Sequence, residues 1–164
     1  MELIGRIERR RIYYLQIRNN WEWKKYLPKK DWAAFTIANK EDEELVPSMV
    51  KTCFDKNVSY TCSAGEYAQM TEAFFDEEIA WRGVDFELKT KKETDFESSL
   101  ISTTHENIEE GFWFATTVAK EVKFEIEIVV CLDLTKKKIK NHLIDLIQKI
   151  NNGWLPSNKE IEGA

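Results

Sequence analysis

The stretch that decides the fold runs from Ser98 to Ala119: Ser-Ser-Leu-Ile-Ser-Thr-Thr-His-Glu-Asn-Ile-Glu-Glu-Gly-Phe-Trp-Phe-Ala-Thr-Thr-Val-Ala. Leu100 and Ile101, flanked by hydroxyl residues, read as the end of a short buried strand. Thr103, Thr104 and His105 follow at a turn, and Glu106, Glu109 and Glu110 crowd the first turn of a helix. Thr103 or Thr104 is the expected N-cap, and carboxylates just after it suit the positive end of the helix dipole. Ile108, Phe112, Ala115 and Ala119 recur at helical spacing with Trp113 beside them, so this helix buries an aromatic face. The order is strand, polar corner, helix.

The same alternation extends in both directions. On the N-terminal side, Ile12 to Ile17 is β-branched and aromatic, a first strand after the basic lead-in Met1 to Arg11. A polar, Trp-bearing connection from Asn19 to Lys30 leads to Trp32 to Ala38, a nearly continuous apolar run that fits an interior strand covered on both faces. Leu45, Val46, Met49, Val50, Cys53 and Phe54 form a helical stripe, and Pro47 places that helix's start close to Glu43. Val58 to Cys62 is a strand, Ser63-Ala64-Gly65-Glu66 a turn, and Tyr67 to Trp81 a second helix that Gly83 should break. Glu87 to Glu97 reads as a charged surface connection.

On the C-terminal side, Phe124 to Leu132 alternates and then turns wholly apolar, as a strand entering the core does. Lys136 to Ile150 is a last helix, with Ile139, Leu143, Ile144, Ile147 and Ile150 on one face. Strands alternating with single helices predict a single α/β domain over residues 1–155, three-layered, with a mostly parallel sheet of about five strands and helices on both faces. Residues 156–164 are expected to be a flexible tail. In such sheets ligands collect at the carboxyl ends of the strands. Three turns should converge there: Asn39 to Glu41, Ser63 to Glu66, and Thr103 to Glu106.

Composition narrows the function. Hydrophobic residues are 43% of the 164, which favours a folded core over disorder, and no apolar run reaches the roughly 20 residues of a membrane span. Met1 to Arg11 has no apolar segment behind its arginines, so no secretory signal is expected. Cys53, Cys62 and Cys131 are odd in number, far apart and set among apolar residues, which predicts reduced, buried thiols in a cytoplasmic protein. The net charge of −5 argues against a nucleic-acid partner and for a basic protein partner. Charge is unevenly spread: residues 1–30 hold nine Lys and Arg against three Glu, whereas Asp42 to Glu78 is mostly acidic. Six Trp and nine Phe exceed what a minimal core needs, leaving rings that either fill the core or face a partner.

Cys62 to Gly65 (Cys-Ser-Ala-Gly), Glu72-Ala73-Phe74-Phe75-Asp76, and above all Thr103-Thr104-His105-Glu106 with Glu109-Glu110-Gly111-Phe112-Trp113-Phe114-Ala115 carry a resemblance. From Ile12 to Leu132 the chain resembles an uncharacterised bacterial family of small acidic α/β proteins, a domain of unknown function. Members have a Gly turn after one strand and a Thr-Thr/His corner before a Phe-Trp-Phe-Ala helix. This chain departs from the pattern: no Trp stands between Thr104 and His105, and the Gly turn lacks the family's Trp-Gly and Asp-Cys. The family has no established activity, so the resemblance implies a fold rather than a reaction.

The chemistry is read from individual residues. His105 with Glu106, Thr103 and Thr104 has the residue types of an acid–base cluster, but a catalytic histidine needs an orienting partner and a nucleophile within reach. A helix cap with a surface histidine accounts for the same residues. His142, between Ile139 and Leu143, reads as structural or exposed. Two histidines 37 positions apart, without a paired-cysteine motif, predict no metal site. One glycine at Gly65 cannot wrap a diphosphate, so no nucleotide or other cofactor is expected. The leading expectation is a non-catalytic protein-binding module of the immunity-protein kind that neutralises a toxin. Glu66, Glu72, Asp76 and Glu77 on the second helix are the partner-binding candidates. The alternative is a small-ligand sensor or enzyme using Ser63, Gly65, Thr103, Thr104, His105 and Glu106; a structural subunit comes third.

Overall fold

The computed structural model describes residues 1–93, 100–121, 124–137 and 139–156. Six strands form one sheet: β1 (Glu2–Ile7), β2 (Arg10–Gln16), β3 (Trp32–Ile37), β4 (Val58–Ala64), β5 (Ile101–His105) and β6 (Ile128–Asp133). Their order is β1-β2-β6-β3-β4-β5, with β1 antiparallel to β2 and every other pair parallel. The helices are α1 (Val46–Asp55), α2 (Ala68–Thr90), α3 (Ile108–Trp113) and α4 (Lys140–Asn151).

Alternation along the strands feeds two hydrophobic clusters. Ala33, Phe35, Val129 and Cys131 meet Phe112 and Ala115 and the α4 residues Leu143, Leu146 and Ile147. Trp32, Ala34, Val130 and Leu132 meet Val46, Met49, Val50 and Cys53 of α1 and Phe75 of α2. Every residue of β3 is buried, Thr36 included, as its nearly continuous apolar sequence predicts. All three thiols are buried, and burial pushes each of their pKa values up, that of Cys62 to about 12. They behave as small apolar groups.

Several expectations need correction. The sheet has six strands rather than five, because the basic lead-in contains β1. That strand is an edge on which only Ile7 is buried, so it lacks the apolar alternation that marks a covered strand. The last strand starts at Ile128 rather than Phe124. Gly83 does not break α2, which continues to Thr90 and is capped by Lys91 in the left-handed region. Gly83 is buried there, and a helical glycine costs only about 1 kcal/mol. Glu87 to Thr90, assigned to a surface connection, are therefore helical; residues 94–97 of that connection, Ser98 and Ser99, and the tail after Pro156 lie outside the described residues.

Thr103, Thr104 and His105 belong to β5 itself, an edge strand on which Ile101 is exposed. The cap of α3 is Asn107, whose side chain accepts a hydrogen bond from the Glu110 backbone N–H at 2.7 Å. Thr103 and Thr104 are held in β5, whereas Asn107 stands immediately before the helix, where its side-chain carbonyl reaches the third helical N–H. Beyond Trp113 the helix widens into a π-helical turn, Phe114–Val118. Arg10, reaching across from β2, donates to the carbonyls of Ala115 (2.8 Å) and Ala119. It thus satisfies acceptors at the end of that turn.

Candidate functional site

The parallel register aligns the carboxyl ends of the strands. Gln16 stands beside Asp133, Asp133 beside Ile37, Ile37 beside Ala64, and Ala64 beside His105. Between β3 and β6 the outgoing connections part, since α1 joins one hydrophobic cluster and α4 the other. That divergence is where ligand crevices open in α/β sheets. Beside it, across the ends of β2 and β6, stands a polar network that sequence reasoning missed. Buried Asp133 accepts from the Tyr14 hydroxyl at 2.6 Å through Oδ2, and from the Thr135 backbone N–H (2.8 Å) and hydroxyl (2.7 Å) through Oδ1. Gln16 Nε2 donates to the carbonyls of Asp133 (3.1 Å) and Thr135 (2.6 Å). Burial, and then the bond to Asp133, push the Tyr14 pKa up. A signal was present in the sequence: an aspartate closing the apolar run Ile-Val-Val-Cys-Leu must find partners if it is buried.

The corner residues come to one rim but divide between its faces. Ser63 is buried and its hydroxyl lies 2.9 Å from that of Thr36. Its register partner Thr104 shares that face of the sheet, which carries α2. Thr103 and His105 take the opposite face, with α3. Thr103 donates to the Thr61 carbonyl at 3.3 Å. Gly65 turns the chain at φ +93°, a conformation suited to glycine. Glu106 is exposed. The His105 side chain is 8% exposed, with Nδ1 3.4 Å from Glu110 Oε1 and its ring centroid 4.8 Å from that of Phe114. Its Nε2 has no hydrogen-bond partner among the described residues. His142 contacts Glu109 at 2.8 Å and so ties α4 to α3.

Gly111 lets α3 approach this rim. A Cβ there would lie 2.8 Å from the Ala64 Cβ, 3.1 Å from Phe35 Cε2 and 3.2 Å from the His105 Cβ. Glycine to alanine inside an exposed helix normally stabilises by roughly 1 kcal/mol. Here the clash should reverse the sign, and Gly111→Ala should destabilise by about 1–3 kcal/mol. The midpoint of a urea titration reads the sign directly, and a rise would show that the rim is looser than its geometry.

Two open concavities lie elsewhere. One of about 430 Å³ sits between Arg9, Arg10, Lys120 and Phe124, at the amino ends of β2 and β6. The other, about 220 Å³, is lined by Arg18, Trp21, Glu44 and Ser48 beyond the end of β2. Neither reaches the Thr103 to Glu106 corner. Among the described residues no three His, Cys, Asp or Glu side chains gather to hold a metal ion, and no helix is long and apolar enough to cross a membrane.

The four partner-binding candidates sit on or just before α2. Glu66, Asp76 and Glu77 are exposed, and Glu72 is half-buried. Burial and the neighbouring Asp76 charge raise the Glu72 pKa, so these carboxylates repel one another one turn apart. Glu77 and Trp81 share the outward face, with the indole N–H 3.4 Å from Glu77 Oε1 and Trp81 64% exposed. Met70, Val84 and Leu88 are also exposed. Sequence reasoning placed the acids but left out Val84 and Leu88, because it ended the helix at Trp81.

Residues 12–150 match the model of a family described as a domain of unknown function, DUF7684, and the chain belongs to that family. No curated protein and no solved structure matches it.

Proposed function

We propose that this protein is a non-catalytic binding module that meets a basic protein partner through α2, as an immunity protein meets its toxin. The observation that carries the reading is the outward face of α2, where exposed Trp81 stands against Glu77. Six carboxylates and two cations lie along this helix. Both cations are already held, Arg82 by Glu78 (2.6 Å) and Asp55 (2.7 Å) and Lys89 by Asp85 (2.6 Å). Glu72 and Asp76 remain as a repelling pair on the side of the helix turned from Trp81, where a basic partner would meet them through their field rather than in contact. Carboxylates of this kind speed encounter and reject wrong partners, while an exposed ring supplies the anchoring contact. Three core thiols suit a reducing compartment such as the cytoplasm.

The enzyme or sensor reading rests on one observation, the His105 side chain with Glu110 at one ring nitrogen and no partner at the other among the described residues. The two readings separate in an association and neutralisation assay against a candidate basic toxin. Glu72→Lys with Asp76→Lys should slow association about tenfold and flatten its salt dependence. His105→Ala should leave neutralisation intact. Loss of function in His105→Ala, with fold and partner binding preserved, would transfer the reading to the polar corner.

A further inference from the structure

Resting on that reading, we infer the partner's form: an amphipathic helix with an apolar seam and Lys or Arg flanks, laid along the outward face of α2. Met70, Phe74, Glu77, Trp81, Val84 and Leu88 follow one another at intervals of 4, 3, 4, 3 and 4 residues. This is the spacing of a coiled-coil seam. It lies opposite the face that carries the buried residues Ala68, Thr71, Phe75 and Gly83. Phe74 is partly buried against the core, whereas Trp81 and Leu88 are 64% and 66% exposed. A helix with apolar residues on both faces has one face too many for a single core. From Met70 to Leu88 the seam runs about 27 Å, the reach of a partner helix of five turns.

Charge selects the occupant. Glu77 stands within the seam, with Glu78 and Asp85, which also hold Arg82 and Lys89, along one shoulder and Glu87 on the other. A second copy of this chain would set one helix of six carboxylates and two cations against another in either orientation. An anionic membrane or a nucleic acid meets the same repulsion. A cationic helix answers the net negative charge of α2, buries the seam, and can place a Lys or Arg over the Trp81 ring.

The test uses the full chain and three synthetic 18-residue helical peptides, read by fluorescence anisotropy. One carries a leucine seam with lysine flanks, the second the same seam with glutamate flanks, and the third the first peptide's residues in scrambled order. The lysine-flanked peptide should bind. Trp81→Ala should weaken it about tenfold or more and Leu88→Ala severalfold, with thermal melts unchanged because both residues are exposed. The glutamate-flanked and scrambled peptides should not bind. Equal binding of the scrambled peptide would overturn the seam while leaving the acidic-module reading to its own neutralisation assay. Indifference of the lysine-flanked peptide to Trp81→Ala would overturn it too. A Trp81-dependent dimer in sedimentation equilibrium would hand the face to a second copy.

Discussion

Asp133→Ala should cost about 3–5 kcal/mol of folding stability, among the largest losses of any single side chain in this protein. The substitution removes a buried carboxylate that satisfies three donors, the Tyr14 hydroxyl and the Thr135 N–H and hydroxyl. A buried donor left without a partner costs about 1–3 kcal/mol, and only the Tyr14 hydroxyl has an alternative, the Gln16 Oε1 atom 3.0 Å away. Asp133→Asn should be milder, near 1–2 kcal/mol, because its Oδ1 still accepts from Thr135. A denaturant titration of both variants ranks them, and a loss below about 1 kcal/mol for alanine would mean the network does not tie β2 to β6.

Tyr14 adds a pH signature. Its folded pKa is raised, so its contribution to stability is complete below the ordinary tyrosine value of 10.0 and is lost as pH climbs beyond it. Above that value the unfolded chain releases the proton while the folded chain retains it. Alkaline unfolding should therefore be steeper in the natural protein than in Tyr14→Phe.

How much of this was legible in the sequence depends on what each signal measures. The β3 run Trp-Ala-Ala-Phe-Thr-Ile announces an interior strand because a strand covered on both faces has no polar side, and the structure bears that out. The mostly parallel sheet followed from helices placed between such runs. The first strand, β1, was not legible: an edge strand with one buried residue looks like a charged lead-in. Gly83 was misread because local propensity is a weak prior, and α2 is held by tertiary contacts such as Arg82 across to Asp55. At the rim, sequence placed Thr103, Thr104 and His105 together, but strand alternation sends Thr104 to the opposite face from the other two. Neighbouring in sequence is not convergence in space. Asp133 with Tyr14 and Arg10 with the Ala115 carbonyl needed the fold, because each pair stands more than 100 residues apart along the chain.

Phe112→Ala is the second large effect, an expected loss of about 3–5 kcal/mol. Phe112 is fully buried and meets Phe35 edge-on, with ring centroids 5.5 Å apart, at the centre of the cluster that joins α3 to β3. The α-helical part of α3 is only six residues long, too short to hold itself in water, so its position depends on this ring. Gly111 brings the backbone close enough for the ring to reach the sheet, and the π-helical turn beyond hands its carbonyls to Arg10. Truncation therefore leaves a cavity that its surroundings cannot readily close. The neighbouring Trp113 points about 100° away along the helix and is only partly buried, so Trp113→Ala should cost less. Phe112→Leu, which keeps most of the volume, should fall between the natural protein and the alanine variant. Urea titrations of the three variants give the order directly. If Trp113→Ala proved the costlier truncation, or Phe112→Ala cost less than about 1 kcal/mol, the anchor of this helix would have to be sought elsewhere.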